Sequence, residues 1–163
     1  MATTLMVLPV LYFSARGISF AADDVIQKIT KTDEEWKKML TPKQYAILRQ
    51  EDTEAPFTSP LNHEKRAGTF ACAGCGLELF PSKFKFDSGT GWPSFFDVIP
   101  GHIATKSDDK LVMERTEYHC ARCGGHQGHR FSDGPQPRGE RWCNNGVALN
   151  FVPKGQPFPA LRS

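Results

Sequence analysis

The sequence lacks a strong net charge, internal repeats and low-complexity tracts. Its net charge of +2 is too small to indicate a nucleic acid or an anionic membrane as a partner. The apolar run at residues 5–13 is too short to cross a bilayer, so no membrane span is expected. The 163 residues, of which 39% are hydrophobic, predict one globular domain whose core needs no disulfides.

Basic residues are missing from the start of the chain, where no Lys or Arg precedes Arg16. The apolar run and the small residues at Ser19 and Ala21 are nevertheless typical of a secretory signal and its cleavage site. Residues 1–22 are therefore predicted to be a leader segment, which slightly favours an exported or periplasmic protein. A cytoplasmic or organellar location is the alternative, with these residues forming a loosely packed tail.

Two short helices are predicted after residue 29. Thr32 and Glu35 have the spacing of a capping box, in which each side chain accepts from the other residue's backbone amide. A second start follows, with Thr41 as N-cap, Pro42 at the first helical position and Gln44 completing another box. These helices are expected to pack ahead of the rest of the domain as scaffold.

The remaining chain has the character of a β protein. Residues 49–66 contain prolines and acids without a period, which predicts a long surface connection. Beyond Gly68, short β-type segments alternate with turn residues, and no helical period of useful length is present. The predicted strands are 68–72, 77–80, 111–115, 117–120 and 147–151. The fold class is therefore mainly β, with antiparallel sheet after a helical lead-in.

Cysteine is scarce and odd in number, and four of the five residues form two identical pairs. The pairs are Cys72 with Cys75 and Cys120 with Cys123, each followed by a glycine that lets the chain turn at positive φ. Two such turns predict a closed tetrahedral sulfur site that suits one structural zinc ion. Two redox dithiols or an iron centre are the alternatives. Because 44 residues separate the pairs, the ion is expected to tie distant parts of a sheet together.

The fifth cysteine, Cys143, lies in the segment 141–151. If this segment is one strand, Arg141, Cys143 and Asn145 share a face that continues into the core. A guanidinium beside the thiol favours the thiolate, which is the nucleophilic form of cysteine. The alternative is a buried, inert cysteine on a core strand.

Three further side chains are candidates for a site around Cys143. Glycines and Pro93 exclude regular structure around Trp92, so this indole is held on a loop, either at a site or as a cover for the core. His126 and His129 are three residues apart, which places them on opposite faces of a strand unless a bulge intervenes. On spacing alone, only one of them needs to face Cys143.

Together these motifs resemble methionine sulfoxide reductase type B. The resemblance runs from about residue 29 to residue 153, and its motifs occur in the family's order. They are residues 33–36, 40–45, 53–57, the two cysteine turns, 88–95, 125–131 and 141–145. The resemblance implies a single catalytic domain over 29–153, with 154–163 as a C-terminal tail. It implies two antiparallel sheets, short N-terminal helices and one structural zinc.

The resemblance also implies the reaction and its residues. The enzyme would reduce the R epimer of methionine sulfoxide in proteins, and more weakly the free amino acid, as repair of oxidative damage. Cys143 matches the catalytic cysteine and forms a sulfenic acid, while His126 and His129 flank the substrate oxygen. The matching substrate-binding residues are Trp92, Phe131, Arg141 and Asn145.

Three positions depart from the family pattern. Thr90 stands where many members have a resolving cysteine, so an external thiol is expected to regenerate Cys143: thioredoxin, glutaredoxin or glutathione. Trp142 and Asn144 replace commoner residues beside Cys143, and we expect them to alter substrate preference. A monomer is expected.

Two other classes of function are weighed against this one. A zinc-ribbon module for nucleic acid would use the two cysteine turns as its platform, but Lys and Arg are not clustered around them. A cysteine hydrolase would pair Cys143 with His126 or His129, but the sequence carries no oxyanion-hole signature.

Overall fold

The computed structural model of the protein describes residues 26–108 and 115–162. The predicted leader, residues 1–22, and all but the last residue of the predicted strand 111–115 lie outside this range. No helix in the two described stretches is long and apolar enough to cross a membrane.

Two helices, α1 (Asp33–Met39) and α2 (Pro42–Gln50), begin where the capping boxes predict. The Glu35 amide donates to the Thr32 hydroxyl at 3.3 Å, and the Thr32 amide donates to the Glu35 carboxylate at 2.7 Å. Thr41 and Gln44 repeat this exchange at the start of α2. Each box satisfies amides that the first turn of a helix leaves unpaired.

Helix α2 packs against both cysteine turns. The buried Leu48 side chain contacts Gly74 and Gly125, one glycine from each turn. The Arg49 guanidinium donates to the Cys123 carbonyl at 2.9 Å and lies 4.9 Å from the Trp36 ring. The helices therefore cover the cysteine cluster, which agrees with their expected role as scaffold.

The described residues form nine strands in two antiparallel sheets. The strands are β1 (Gly68–Cys72), β2 (Glu78–Pro81), β3 (Lys85–Phe86), β4 (Ser94–Phe95), β5 (Ile103–Asp108), β6 (Arg115–Cys120), β7 (His126–Phe131), β8 (Arg141–Asn144) and β9 (Leu149–Pro153). The smaller sheet has the order β2-β1-β9, and the larger has the order β3-β4-β8-β7-β6-β5. Three short 3-10 helices connect them, at Pro60–His63, Ser82–Phe84 and Gly146–Ala148. The predicted fold class of two antiparallel sheets is confirmed.

An aromatic core joins the two sheets. Phe80 of the smaller sheet stacks on Phe95 of the larger one at 4.1 Å, and Phe70 meets the Phe95 ring edge-on at 5.0 Å. The chain of rings continues from Phe80 to Tyr118 and from Tyr118 to Trp142. A buried ring of this kind contributes about 1.5–3 kcal/mol, so these contacts hold the sheets face to face.

The predicted strand 147–151 is wrong in its first half. Strand β8 ends at Asn144, and Val147 lies in the 3-10 helix Gly146–Ala148 before β9 begins at Leu149. Strands β8 and β9 therefore belong to different sheets, and the single face expected to run from Arg141 to Phe151 does not exist. Period-two spacing missed the break because Asn145 and Gly146 turn the chain between the sheets.

The cysteine pairs also differ from expectation in what they join. Cys72 ends β1 in the smaller sheet, whereas Cys120 ends β6 in the larger sheet. The cluster therefore fastens one sheet to the other and does not tie two parts of a single sheet. Gly76 and Gly124 follow the pairs with φ of 82° and 67°, as the sequence predicted.

Candidate active site

Cys143 lies at the floor of a small pocket on the larger sheet. It is the partner of Ser94 on β4 and of His129 on β7, so strands hold it on both sides. The pocket has a volume of about 120 Å³, and its walls are Thr53, Trp92, Gly128, His129, Phe131, Cys143, Asn144 and Asn145. Unlike the other four cysteines, which are buried, Cys143 is partly exposed, so it is not a fully buried core cysteine.

Gly128 allows the strands to approach closely at this point. A Cβ atom at residue 128 would lie 1.9 Å from the Cys143 carbonyl oxygen. Only glycine therefore lets β7 run along the floor of the pocket.

Burial raises the pKa of the Cys143 thiol. Three neighbours act against burial by favouring the thiolate: the Arg141 guanidinium and the hydroxyls of Thr90 and Ser94. The expected pairing of thiol and guanidinium is present, and Arg141 favours the thiolate as predicted, but burial has the larger effect on the pKa of Cys143.

The Arg141 guanidinium has two close neighbours, a carboxylate and an aromatic ring. Its guanidinium donates to both Asp133 carboxylate oxygens, at 2.8 and 2.9 Å, and lies 4.3 Å from the Phe131 ring. The Arg141 hydrogen bond lowers the pKa of Asp133. The carboxylate therefore fixes the guanidinium in place and partly neutralises its effect on Cys143.

Three hydroxyl groups form a connected cluster beside the thiol. The Ser88 hydroxyl lies 2.9 Å from the Thr90 hydroxyl and 2.8 Å from the Ser94 hydroxyl. Thr90 and Ser94 both interact with the Cys143 side chain. Thr90, which stands where a resolving cysteine was looked for in the sequence, therefore lies within reach of the Cys143 thiol.

A β-bulge brings the two histidines together. The register between β6 and β7 shifts between Tyr118 and His119, which leaves Gln127 as the extra residue. The His126 and His129 rings consequently lie 5.5 Å apart. His129 lines the pocket opposite Cys143, whereas His126 is buried and is not part of the pocket wall.

A buried carboxylate orients the His126 ring. Its Nδ1 lies 2.9 Å from Glu117, which is itself buried. Among the described residues its buried Nε2 has no hydrogen-bond partner. Lys106 links Glu117, at 3.2 Å, to Glu51, at 2.5 Å, so the buried carboxylate has a cation partner near the surface. Such a carboxylate fixes which ring nitrogen of His126 carries hydrogen.

The long connection contributes to the site through Glu54. The Trp92 indole donates to the Glu54 carbonyl at 3.0 Å, and the Glu54 amide donates to the Asn145 side chain at 3.0 Å. The Glu54 carboxylate accepts from the amides of Gly146 and Val147. Residues 49–66 are thus largely a surface connection, as predicted, but Glu54 anchors them to the pocket.

Asn145 fixes the pocket wall through both ends of its amide. Its oxygen accepts from Glu54, and its nitrogen donates to the Gln127 carbonyl at 3.1 Å. Trp142 and Asn144, suspected of tuning specificity, have side chains in the core. Trp142 packs edge-on against Tyr118 at 5.1 Å, and Asn144 accepts from the Tyr118 hydroxyl at 2.8 Å.

The four paired cysteines form a cluster that fits a metal ion. All four sulfur atoms lie within 4.8 Å of one another and are buried. The Cys72–Cys123 and Cys75–Cys120 sulfur distances are 3.6 and 3.5 Å. Tetrahedral zinc with Zn–S bonds of about 2.3 Å separates its sulfur ligands by about 3.8 Å. The Gln127 amide donates to Cys72 at 3.4 Å, which links the cluster to β7.

Sequence reasoning missed several residues that hold the site together: Glu54, Ser94, Glu117, Gln127 and Asp133. Glu54 is far along the chain from the groups that it binds, whereas Glu117 binds a residue of the next strand. Alternation within β6 fixes the face of the sheet on which Glu117 lies. Its pairing with His126 could not be predicted, because it depends on the bulge at Gln127.

Comparison with known proteins adds a family relationship. A family model described as the SelR domain matches residues 40–153. The peptide methionine sulfoxide reductase MsrB of Methanosarcina barkeri is 54% identical over 124 residues, which cover 76% of this chain and 87% of that relative. The MsrB of Methanosarcina mazei is 52% identical, covering 77% and 90%. The MsrB of Pseudomonas putida is 52% identical, covering 79% and 98%.

Proposed function

The chain belongs to the SelR-domain family of MsrB peptide methionine sulfoxide reductases, which are oxidoreductases, and from that premise we propose that Cys143 carries out the reduction. The proposed substrate is methionine R-sulfoxide in oxidised proteins, with weaker activity on the free amino acid. The observation that supports this most directly is the placement of one partly exposed thiol opposite a histidine in a pocket the size of a side chain.

The proposed reaction transfers oxygen from one sulfur to another. The Cys143 thiolate takes the sulfoxide oxygen, the oxygen–sulfur bond of the substrate breaks, and one proton is added to the oxygen. The products are a sulfenic acid on Cys143 and a methionine thioether. Cys143 is oxidised by two electrons and the substrate sulfur is reduced by two.

His129 is the proposed proton donor because it shares the pocket with Cys143. A sulfoxide oxygen held between the thiol and this ring gains a proton as it leaves the substrate. His126 lies behind His129 and is oriented by Glu117. In this arrangement His126 positions His129, and His129 is assigned as the donor, a choice that the sequence left open between the two histidines.

Two positive groups favour the Cys143 thiolate in the proposed reaction. They act against burial, which raises the pKa of the Cys143 thiol. A positively charged histidine beside the bound sulfoxide adds to the field of Arg141, and both favour the thiolate. The thiol is thereby activated when its substrate is present.

The apolar walls of the pocket define the rest of the substrate. Trp92 and Phe131 both line it, and the Trp92 ring is fixed by the hydrogen bond to Glu54. With the sulfoxide oxygen directed at His129, the methyl group and the methionine side chain must take fixed directions. This requirement selects one epimer at sulfur, the R epimer by the family relationship.

Regeneration of Cys143 is proposed to use an external thiol. The other four cysteines are buried together in the metal cluster, and Thr90 supplies a hydroxyl where an internal thiol would attack. One thiol of thioredoxin, glutaredoxin or glutathione forms a mixed disulfide with Cys143 and releases water. A second thiol then releases Cys143 as a disulfide forms in the reductant.

Cys72, Cys75, Cys120 and Cys123 would hold one zinc ion, which when bound supplies a closed structural link between the sheets. The chain's own residues carry the chemistry, since the cluster has four sulfur donors and leaves no open position. A bound ion would stabilise the strands that end at these cysteines, including β6, which carries Glu117.

The experiment that tests this function compares wild type with Cys143→Ser. We expect the variant to retain its metal and its thermal stability but to show no reduction of a methionine R-sulfoxide peptide. A hydrolytic activity that depends on Cys143, without sulfoxide reduction in the wild type, would overturn the proposal.

A further inference from the structure

A rigid strap lies along one side of the Cys143 pocket. It comprises residues 53–58, and Thr53 forms part of the pocket wall. The Thr58 hydroxyl donates to the Ala55 carbonyl at 2.7 Å, which closes the turn of the strap. The Trp92 indole donates to the strap at Glu54, and the Phe57 amide donates to the Gly91 carbonyl at 2.7 Å. Hydrogen bonds therefore fix the strap to both Gly91 and Trp92.

Phe57 at the end of this strap is exposed although its backbone is tightly held. Its side chain is 71% exposed, against 42% for Phe158 and 52% for Leu161, the other exposed large apolar residues in the described ranges. Its φ of 64° lies in the left-handed region, which side chains with a Cβ rarely adopt. A strained backbone that presents an aromatic ring to solvent gives no benefit to folding, and such features concentrate at binding sites.

The Phe57 ring packs close to a wall of the pocket. A Cβ built on Gly91 would lie 3.0 Å from Cδ2 of this ring, so the ring covers Gly91, the residue before Trp92. Trp92 is in turn a wall of the pocket. The exposed Phe57 ring is therefore one residue away from the pocket wall.

The size of the pocket limits what can enter it. Its volume of about 120 Å³ is comparable to that of one side chain. The backbone and neighbouring residues of a polypeptide substrate must therefore lie outside it. Phe57 is the large apolar surface available to them.

We propose that Phe57 is a docking surface for the residues flanking the methionine sulfoxide in a polypeptide, so that it sets the preference of the enzyme for proteins over the free amino acid. The inference rests on the proposed function of the pocket. Exposed aromatic residues on fixed backbones are frequent anchors in protein interfaces, because little side-chain entropy is lost when they are covered.

The partner in this inference is the substrate chain and not the reductant. While the sulfoxide side chain occupies the pocket, its flanking residues lie outside the pocket walls, and the Phe57 ring lies beside Gly91, next to the Trp92 wall. A reductant that used the same surface would affect only the regeneration of Cys143, after methionine has left. The two steps can be measured separately, which makes the assignment testable.

The test measures formation of the Cys143 sulfenic acid in a single turnover without reductant. Two substrates are used, a seven-residue peptide with a central methionine R-sulfoxide flanked by leucines and the small amide N-acetyl-methionine R-sulfoxide methylamide. For Phe57→Ala we expect the second-order rate with the peptide to fall about five- to twentyfold, the size of effect typical of losing an aromatic anchor. With the small amide we expect a change of less than about twofold.

Phe158→Ala is the matched control, since it removes an exposed phenylalanine from the C-terminal segment, which borders β1 and β2. It should leave both rates unchanged, and Phe57→Tyr should restore the rate with the peptide. Equal losses on both substrates would overturn the inference, as would a loss seen only in multiple turnovers with thioredoxin, which would assign Phe57 to the reductant. No reduction of either substrate by wild type would instead refute the proposed function.

Discussion

His129 and Cys143 face each other as register partners on the antiparallel strands β7 and β8. Neither residue reaches this position through its own strand alone. The bulge at Gln127 brings the His126 ring next to the His129 ring. Gly128 allows the backbone of Cys143 to approach β7 closely. The site is therefore a product of one irregularity and one glycine in β7.

Glu117→Gln tests whether the buried carboxylate positions the histidine pair. We expect the rate of sulfenic acid formation at saturating substrate to fall about tenfold to a hundredfold, because His126 loses the partner that fixes its ring. Stopped-flow measurement of a single turnover would record this rate. Since Glu117 does not line the pocket, the KM of the variant for the sulfoxide peptide should change little.

Lys106→Met is the control for this variant. It removes the cation that joins Glu117 to Glu51 but leaves the hydrogen bond between Glu117 and His126. The rate should fall by less than about threefold, as expected for a partly exposed ion pair. Equal losses in both variants would show that Glu117 acts through the surface network and not on the histidines.

The reactivity of Cys143 should report its raised pKa. Because burial raises the pKa of the Cys143 thiol, alkylation by iodoacetamide in the absence of substrate should still be increasing with pH above the range in which an ordinary cysteine ionises. In Arg141→Met the increase should shift to higher pH, since the guanidinium that favours the thiolate is gone. Mass spectrometry of alkylated peptides would follow Cys143 separately from the cluster.

Asp133→Asn provides the opposite change. It removes the carboxylate that neutralises Arg141 while the guanidinium remains. Alkylation at neutral pH should be at least as fast as in wild type. Slower alkylation would mean that Asp133 is needed mainly to hold Arg141 near the thiol.

The metal cluster should contribute stability without taking part in turnover. Purified protein should contain one zinc ion per chain, and Cys120→Ser should lose it. Structural zinc sites supply several kcal/mol of folding free energy, so the melting temperature should fall by about 10 °C or more. A Cys120→Ser protein that keeps both its melting temperature and its activity would contradict the structural role.

Local signals allowed much of the fold to be predicted from the sequence. The capping boxes at Thr32 and Thr41 and the turns after Cys75 and Cys123 depend on residues within four positions of one another. Strand β1 was predicted with its observed bounds for the same reason. The break at Asn145 was missed because alternation continues through it, although Asn145 and Gly146 are both residues that favour turns.

The candidate site was predictable in its parts but not in its connections. The resemblance identified Cys143, His129 and Trp92, all of which line the pocket. The bond from Glu117 to His126 crosses two neighbouring strands, and the bond from Glu54 to Gly146 joins residues far apart in sequence. Such pairs follow from strand register and from the path of a connection, and neither can be read from one sequence without its tertiary contacts.

Thr90→Cys should convert the enzyme to an internal disulfide mechanism. The Thr90 side chain already interacts with Cys143, so a thiol there is placed to attack the sulfenic acid. After one turnover the variant should contain a disulfide between residues 90 and 143, detectable by peptide mapping. Failure to form it would show that the hydroxyl cluster holds residue 90 in a direction unsuited to attack.

The central claim is that Cys143 alone carries the oxidising equivalents of one turnover. Its most direct test is the intact mass of the wild-type protein after one equivalent of methionine R-sulfoxide peptide without any reductant. The predicted result is the gain of one oxygen atom, located at Cys143 and removed by added thioredoxin or glutathione. A loss of two hydrogen atoms would contradict the account, because it would mean that one of the cluster cysteines had formed a disulfide with Cys143.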